Sequence, residues 1–161
     1  MATANQNLSK YDTSKVPQGS SFKIHIVVSQ WNNTITTALS EGAQATLKRH
    51  GVKEENIRIW KVPGSFELIY GAKKAQTFNP DAVIAIGSVI KGETQHFEYV
   101  CQAVSQGIKD LNIQEEVPVI FCVLTDDTLQ QAKDRSGGVH GNKGTEAAVA
   151  ALQMCELREV D

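Results

Sequence analysis

The stretch DAVIAIGSV, residues 81 to 89, decides the fold. It is an almost unbroken run of small and branched apolar residues, which is typical of a strand covered on both faces. Two more runs share this character, FKIHIVVS at 22–29 and VPVIFCVL at 117–124, whereas NIRIWKV at 56–62 alternates apolar and charged residues. The alternation predicts that this run, the second along the chain, lies at the edge of a sheet.

Helical patterns lie between these runs. Apolar residues recur there with the period of 3.6 residues that gives a helix one buried face, and they do so in three groups: Ile35, Leu39, Ala43 and Leu47; Leu68, Ala72 and Ala75; and Phe97, Val100, Cys101, Val104, Ile108 and Leu111. Gly51 is placed to end the first helix, and Asn79-Pro80 to stop the second. A final helix is predicted from about Lys143, with Asn142 as its N-cap residue.

Strand and helix therefore alternate, which predicts an α/β fold: a three-layer αβα sandwich around a parallel sheet of four strands in the order 2-1-3-4. A chain of 161 residues, 41% apolar and 21% charged, suits one domain with one core. We assign that domain to residues 21–161. Residues 1–20 form a polar arm that is expected either to stay mobile or to dock on a neighbour.

Composition excludes several classes of function. The formal charge of −2, with 16 Lys and Arg scattered along the chain, argues against a nucleic-acid partner. No apolar run approaches the roughly 20 residues that span a membrane, and the first residues carry no secretory signal, so we expect a cytoplasmic protein. Cys101, Cys122 and Cys155 are expected to be reduced core residues, and no metal-ligand spacing occurs.

Chemistry is expected at one edge of the sheet. In open parallel sheets, ligands bind in the crevice beyond the carboxyl ends of the strands. Four short segments follow the predicted strands and should meet there: SQWN at 29–32, VPGSFE at 62–67, SVIKGETQH at 88–96 and LTDDT at 124–128.

The GETQH motif combines an anion site with a titratable group. Gly92, Glu93 and Thr94 precede a predicted helix, so backbone N–H groups and the helix dipole favour an anion there. His96 follows on the first turn, and histidine is a natural acid/base group because it titrates near neutral pH. Position alone, however, favours an exposed or capping role for His96.

Two more side chains are expected at the crevice, each with an ordinary structural alternative. Trp31 follows the first strand and offers a plane for a flat heterocycle, although a core or interface tryptophan is the commoner case. Glu67 follows the turn at Pro63-Gly64. Its carboxylate either meets ligand hydroxyls or complements a helix dipole.

The stretch RSGGVHGNKGTE, residues 135 to 146, has the glycines and the lysine of a phosphate-binding loop but not its spacing. Asn142 stands where the second glycine of such a loop belongs, and Gly144 replaces its Ser or Thr. The stretch also follows a helical segment rather than a strand. We interpret its glycines as a flexible turn between helices, which leaves Arg135 and Lys143 as two cations near one turn.

Four segments together resemble the 6,7-dimethyl-8-ribityllumazine synthase family: SQWNNTIT, VPGSFEL, IGSVIKGETQHFEYV and PVIFCVLTDDTLQQAKDRSGGVHGNKGTEAAVAAL. The resemblance extends over about residues 22–155, with the motifs in the family's order. It implies a flavodoxin-like sandwich and a reaction without a cofactor. That reaction condenses 5-amino-6-(D-ribitylamino)uracil with 3,4-dihydroxy-2-butanone 4-phosphate and releases phosphate and water, the penultimate step of riboflavin biosynthesis.

The resemblance also implies roles for particular residues. His96 matches the family's general acid/base histidine, and Trp31, with Asn32 beside it, matches the aromatic that stacks on the pyrimidine ring. The other matching positions are Ser65, Phe66 and Glu67 for the ribityl chain, Ser88, Val89 and Ile90 for the pyrimidine edge, and Glu93, Thr94 and Arg135 for the phosphate.

In the family, the sites lie between adjacent subunits of a homopentamer. The resemblance therefore implies that a neighbouring subunit supplies Phe121, Arg135 and Lys143. Two departures from the commonest pattern occur: Ser29-Gln30 replaces Ala-Arg, and Trp31 stands where Phe is common. Neither removes a catalytic group. We hypothesise that the larger face of Trp31 lets the protein retain flavin-like products.

Two rival functions share this fold class. An archaeal-type riboflavin synthase would dismutate two lumazines, so it would form riboflavin from lumazine alone. A flavodoxin-like receiver or flavin-binding module would not be an enzyme. A receiver would carry clustered acids after the first strand and an Asp at the end of the third, where this chain has Ser29-Gln30 and Gly87-Ser88.

Overall fold

The computed structural model describes residues 7–160 and has the parallel sheet that the apolar runs predict. Its strands are β1 (Ile24–Ser29), β2 (Ile57–Val62), β3 (Ala82–Ile90) and β4 (Val119–Asp126), in the order β2-β1-β3-β4. The alternating run is confirmed as an edge strand, since β2 pairs with β1 and with no other described strand. The fold is an α/β, flavodoxin-like sandwich.

Among the described residues, five α-helices and a small hairpin accompany the sheet, with short 3-10 helices at Thr13–Lys15 and Glu54–Asn56. They are α1 (Asn33–Arg49), α2 (Leu68–Gln76), α3 (His96–Gln114), α4 (Leu129–Arg135), the strands β5 (Ser136–Gly138) and β6 (Gly141–Asn142), and α5 (Lys143–Arg158). Helices α1 and α5 pack together on one face of the sheet, and α2 and α3 on the other. No helix among these residues is long and apolar enough to cross a membrane.

The two faces of the sheet have separate hydrophobic cores because side chains alternate along each strand. On β1, Ile26 lies in the core beneath α1 and α5, whereas Val27 lies in the core beneath α2 and α3. Leu39 of α1 and Leu68 of α2 fill these two cores, and all four side chains are fully buried. Burial of this kind contributes about 1.5–3 kcal/mol for each large apolar side chain.

All four strands differ from their predicted bounds by one or two residues, most at β1 and β4. β1 begins at Ile24 because the N–H of Phe22 donates to the Gly19 carbonyl in a turn, at 3.0 Å, and not to the sheet. β4 runs to Asp126 because its last residues pair with the end of β3, where Asp126 lies opposite Ile90. The extension carries polar residues of β4 to the edge where a ligand is expected.

The glycines of the 135–146 stretch connect helices α4 and α5 as predicted, and the connection is a short antiparallel hairpin. Strands β5 and β6 are antiparallel, and Gly137 and Gly141 have φ values of 125° and 82°, which L side chains rarely adopt. Asn142 is confirmed as the N-cap of α5, because its side chain accepts from the N–H of Gly144 at 2.8 Å. Its amide also donates to the Ala38 carbonyl of α1.

The described part of the N-terminal arm lies against its own chain. The N–H of Leu8 donates to the His140 carbonyl at 2.7 Å, and the Tyr11 hydroxyl is 3.2 Å from Nε2 of His50. That the arm stays mobile or docks on a neighbour remains a prediction. Residues 1–6 of that arm lie outside the described part of the chain.

The cysteines follow the predicted placement only in part. Cys122 and Cys155 are buried and unpaired, and burial raises the pKa of each thiol to about 12. Cys101 is only half-buried on α3, where burial and the nearby Glu98 carboxylate raise its pKa.

Candidate active site

Three of the four segments beyond the strand ends line one cavity of about 820 Å³. Ten residues predicted from the sequence lie in its wall: Trp31, Asn32, Ser65, Phe66, Glu67, Ser88, Val89, Ile90, Thr94 and His96. The volume is in the usual range for a small-molecule site. The fourth segment, LTDDT, does not line this cavity, because β4 runs on to Asp126 before the chain turns into α4.

Trp31 lies at the rim of this cavity. Its side chain is 72% exposed, so it is not a core tryptophan. Its backbone is fixed, since the N–H of Trp31 donates to the Pro63 carbonyl at 3.1 Å, which continues the pairing of β1 with β2 beyond both strands. An exposed aromatic plane on a fixed backbone can stack on a flat ligand.

Asn32, predicted at the site beside Trp31, has a backbone conformation and a hydrogen bond that the sequence did not predict. Its backbone is left-handed, with φ 56° and ψ 44°, a conformation that costs a non-glycine residue about 1–2 kcal/mol. Its side-chain amide donates to the Ser88 carbonyl at 2.9 Å and so links the ends of β1 and β3. The bridge fixes the chain on the C-terminal side of Trp31.

The VPGSFE segment adds a second aromatic side chain to the same cavity. Ser65 is buried, Phe66 is 55% exposed, and Glu67 is exposed at the start of α2. The segment lies close to β3, because a Cβ on Gly87 would stand 2.7 Å from Oγ of Ser65. Glycine at position 87 therefore lets this turn reach the end of β3.

The GETQH motif begins α3 as predicted, with His96 as the first helical residue. The N–H of His96 donates to Oγ1 of Thr94 at 3.4 Å, and the side chains of both residues are exposed. Thr94 and His96 line the same cavity as Trp31, whereas the exposed Glu93 does not line it. An acid/base group and a helix N-terminus therefore adjoin one cavity.

Phe121 and Lys143 lie in a different cavity, of about 380 Å³, between β4, α5 and the N-terminal segment. Phe121 is 37% exposed on edge strand β4. Lys143 forms an ion pair with Glu146, with 2.7 Å between Nζ and Oε1. The structure therefore does not bring these two predicted site residues to Trp31 and His96 within one chain.

Arg135 lines neither of these two cavities. Its Nη1 donates to the Gln131 carbonyl at 3.1 Å and lies 3.6 Å from Oδ1 of Asp126. Asp126 is buried; burial raises its pKa, and the nearby Arg135 charge partly opposes that shift. Sequence reasoning did not find Asp126, because an acid in a polar stretch gives no signal that it will be buried.

The other three histidines lie apart from this cavity. His25 is buried on β1 with its ring 5.7 Å from that of Trp60, and burial lowers its pKa. His50 caps the C-terminus of α1, and His140 lies in the turn of the hairpin. Within residues 7–160, no cluster of three His, Cys, Asp or Glu side chains could hold a metal ion.

The fold and the larger cavity define a class: an α/β sandwich with a cavity of small-molecule size at the carboxyl edge of its sheet. The wall offers an aromatic plane, strand-end backbone groups, a helix N-terminus and an imidazole.

Comparison with known proteins narrows this class. A sequence model of the 6,7-dimethyl-8-ribityllumazine synthase family matches residues 21–159. Relatives of that name occur in Flavobacterium johnsoniae, 60% identical over 99% of this chain and 84% of the relative, and in Christiangramia forsetii, 56% identical over 99% and 96%. Another, from Porphyromonas gingivalis, is 54% identical over 99% and 100%. The chain belongs to the 6,7-dimethyl-8-ribityllumazine synthase family.

Proposed function

We propose that the protein is a transferase, a 6,7-dimethyl-8-ribityllumazine synthase, which acts in riboflavin biosynthesis. It condenses 5-amino-6-(D-ribitylamino)uracil with 3,4-dihydroxy-2-butanone 4-phosphate and releases phosphate and water. Family membership supports the reaction. The observation that carries the site is that Trp31, Thr94 and His96, which are distant in sequence, line one cavity.

The pyrimidine substrate occupies the larger cavity. Trp31 stacks on its ring. The strand-end backbone of Ser88, Val89 and Ile90 forms hydrogen bonds with the polar edge of that ring. The segment from Ser65 to Glu67 holds the ribityl chain, whose hydroxyls suit the Glu67 carboxylate. Support for this pose comes from the wall of the cavity, which contains all of these residues.

His96 acts as the general acid/base. The amine of the pyrimidine attacks the ketone carbonyl, water leaves to form a Schiff base, phosphate is eliminated, and a second amine attack with loss of water closes the ring. Each step moves a proton, and an exposed imidazole beside the cavity can carry it. Holding the amine and the ketone together supplies most of the acceleration, because a bimolecular step becomes effectively unimolecular.

The phosphate binds at the start of α3, where the backbone N–H groups of Glu93 and Thr94 donate to its oxygens. It also pairs with the Arg135 guanidinium. A neighbouring subunit supplies Arg135, together with Phe121 and Lys143, so that each site lies between two copies in a homopentamer. Two observations support this division: Phe121 and Lys143 line a second cavity, and Arg135 lines neither. A single chain is then an incomplete enzyme.

The direct test mixes the purified protein with both substrates and records the absorbance of the lumazine product, alongside light scattering for particle mass. The proposal expects lumazine formation and a mass of at least five chains. A protein that forms no lumazine, or that turns over as a monomer, would contradict it. The same assay with lumazine alone detects any riboflavin synthase activity.

We place this activity in the cytoplasm. Cys101, Cys122 and Cys155 are unpaired thiols in the structure, which suits a compartment that keeps cysteines reduced. Fractionation of cells that produce the protein would test this location.

A further inference from the structure

We propose that Asp126 is a positioning residue for Arg135, and that its buried negative charge lowers the affinity of the Arg135 site for phosphate, so that released phosphate leaves. This inference rests on the proposed function, in which Arg135 meets the phosphate of the substrate.

One end of the Arg135 side chain is held by its own chain. Nη1 donates to the Gln131 carbonyl at 3.1 Å and approaches Oδ1 of Asp126 to 3.6 Å. Within residues 7–160, Nε and Nη2 of Arg135 make no hydrogen bond. The guanidinium is therefore fixed at one nitrogen and presents its other donors to a ligand. A fork that is fixed in advance loses less freedom when it binds an oxyanion.

The charge of Asp126 acts on whatever binds Arg135. The Asp126 side chain is only 8% exposed, compared with 37% for Arg135, and its Oδ2 is buried with no hydrogen-bond partner among residues 7–160. A buried charge is screened much less by salt and water than an exposed one. A phosphate that binds Arg135 therefore meets repulsion from Asp126 as well as attraction from the guanidinium.

The backbone of Asp126 is fixed independently of its side chain. Asp126 is the last residue of β4 and lies opposite Ile90 of β3. Its carbonyl also accepts from the N–H of Lys91 at 2.9 Å. Substitution of the carboxylate by an amide of the same shape leaves these contacts in place, so Asp126→Asn isolates the effect of the charge.

The test measures inorganic phosphate binding to the assembled protein by titration calorimetry. With Asp126→Asn, we expect phosphate to bind about three- to tenfold more tightly than to the wild type, by the size of a poorly screened charge interaction. The KM for the phosphate substrate should fall in step, and the KM for the pyrimidine should not change. Unchanged or weaker phosphate binding, or no binding to either form, would overturn the proposal.

Asp127→Asn is the matched control, because Asp127 adjoins Asp126 but is exposed. Solvent screens its charge, so phosphate affinity should stay within about twofold of the wild type. An equal gain in both variants would show a general charge effect and overturn the inference. If Asp126→Asn fails to assemble, Asp126→Thr removes the same charge and should shift affinity in the same direction. Because calorimetry needs no turnover, its outcome is separate from a failure of the wild type to make lumazine.

Discussion

The cavities of about 820 Å³ and about 380 Å³ differ in the side chains that they offer a ligand. The larger has Trp31, Phe66 and His96 in its wall but no Lys or Arg, whereas the smaller has Phe121 and Lys143 but no histidine. A reaction between a flat pyrimidine and a phosphate ester needs a stacking plane, an acid/base group and a cation at one place. The difference teaches that neither cavity alone has the groups that the proposed chemistry needs.

The largest effect is expected from Arg135, a cation that lines neither cavity. Arg135→Ala should lower kcat/KM for the phosphate substrate by about 10²- to 10³-fold, because the transition state loses a fixed charge at the departing phosphate. Steady-state kinetics with each substrate varied in turn would measure it. Arg58→Ala is the matched control: Arg58 lies over the ring of Trp60 on edge strand β2, lines neither cavity and should leave turnover unchanged. Normal kinetics in Arg135→Ala would remove Arg135 from the site.

A smaller loss is expected from the imidazole of the larger cavity. His96→Ala should reduce kcat by about 10²-fold, the usual contribution of general acid/base catalysis, with little change in either KM. His140→Ala, in the hairpin turn, serves as the control and should keep wild-type turnover. Wild-type kcat in His96→Ala would show that the larger cavity binds substrate without taking part in proton transfer.

Substitution of Trp31 is expected to affect substrate binding more than the chemical step in the same cavity. Trp31→Ala should raise the KM for the pyrimidine substrate about tenfold, the usual loss for one aromatic stacking partner, with a small change in kcat. The same variant should bind riboflavin more weakly, as measured by quenching of flavin fluorescence. Trp31→Phe keeps an aromatic plane, so its KM for the pyrimidine and its affinity for riboflavin should lie between those of Trp31→Ala and the wild type. If Trp31→Ala holds riboflavin as tightly as the wild type, the hypothesis of flavin retention through Trp31 is wrong.

The smallest effect is expected at Asn32, behind the stacking plane. Asn32→Gly tolerates the left-handed backbone but loses the bridge to Ser88, so the KM for the pyrimidine should rise by about two- to fivefold. Asn32→Ala loses the bridge and also strains the backbone, so its free energy of unfolding should fall about 1 kcal/mol further, as measured in urea. Equal stability of the two variants would show that the backbone relaxes at this position.

The sequence predicted the sheet because its strongest signals are local. An unbroken apolar run such as 81–89 needs cover on both faces, and the alternating run at 56–62 indicates an edge strand, so together with the intervening helices these runs predicted a parallel sheet with 56–62 at one edge. The ends of the strands were predicted less accurately than their positions in the sequence. A strand stops where its backbone finds another partner, as Phe22 does with Gly19, and composition does not reveal that partner.

The larger cavity was predicted for a topological reason: segments that follow parallel strands meet at one edge, whatever their separation in sequence. The hairpin after α4 was missed because its strands span only three and two residues and carry no apolar pattern. The bridge from Asn32 and the burial of Asp126 were missed for another reason. Both depend on which distant parts of the chain the fold brings beside them, and a local sequence pattern does not reveal those neighbours.

The central claim, that each site combines residues of two adjacent chains, is tested most directly by mixing two variants. His96→Ala and Arg135→Ala would be unfolded together, reassembled at equal amounts, and assayed beside each variant reassembled alone. In a mixed ring, about one site in four joins an intact His96 of one chain to an intact Arg135 of its neighbour. We predict activity near a quarter of the reassembled wild type. A mixture no more active than the average of the two variants would contradict a shared site.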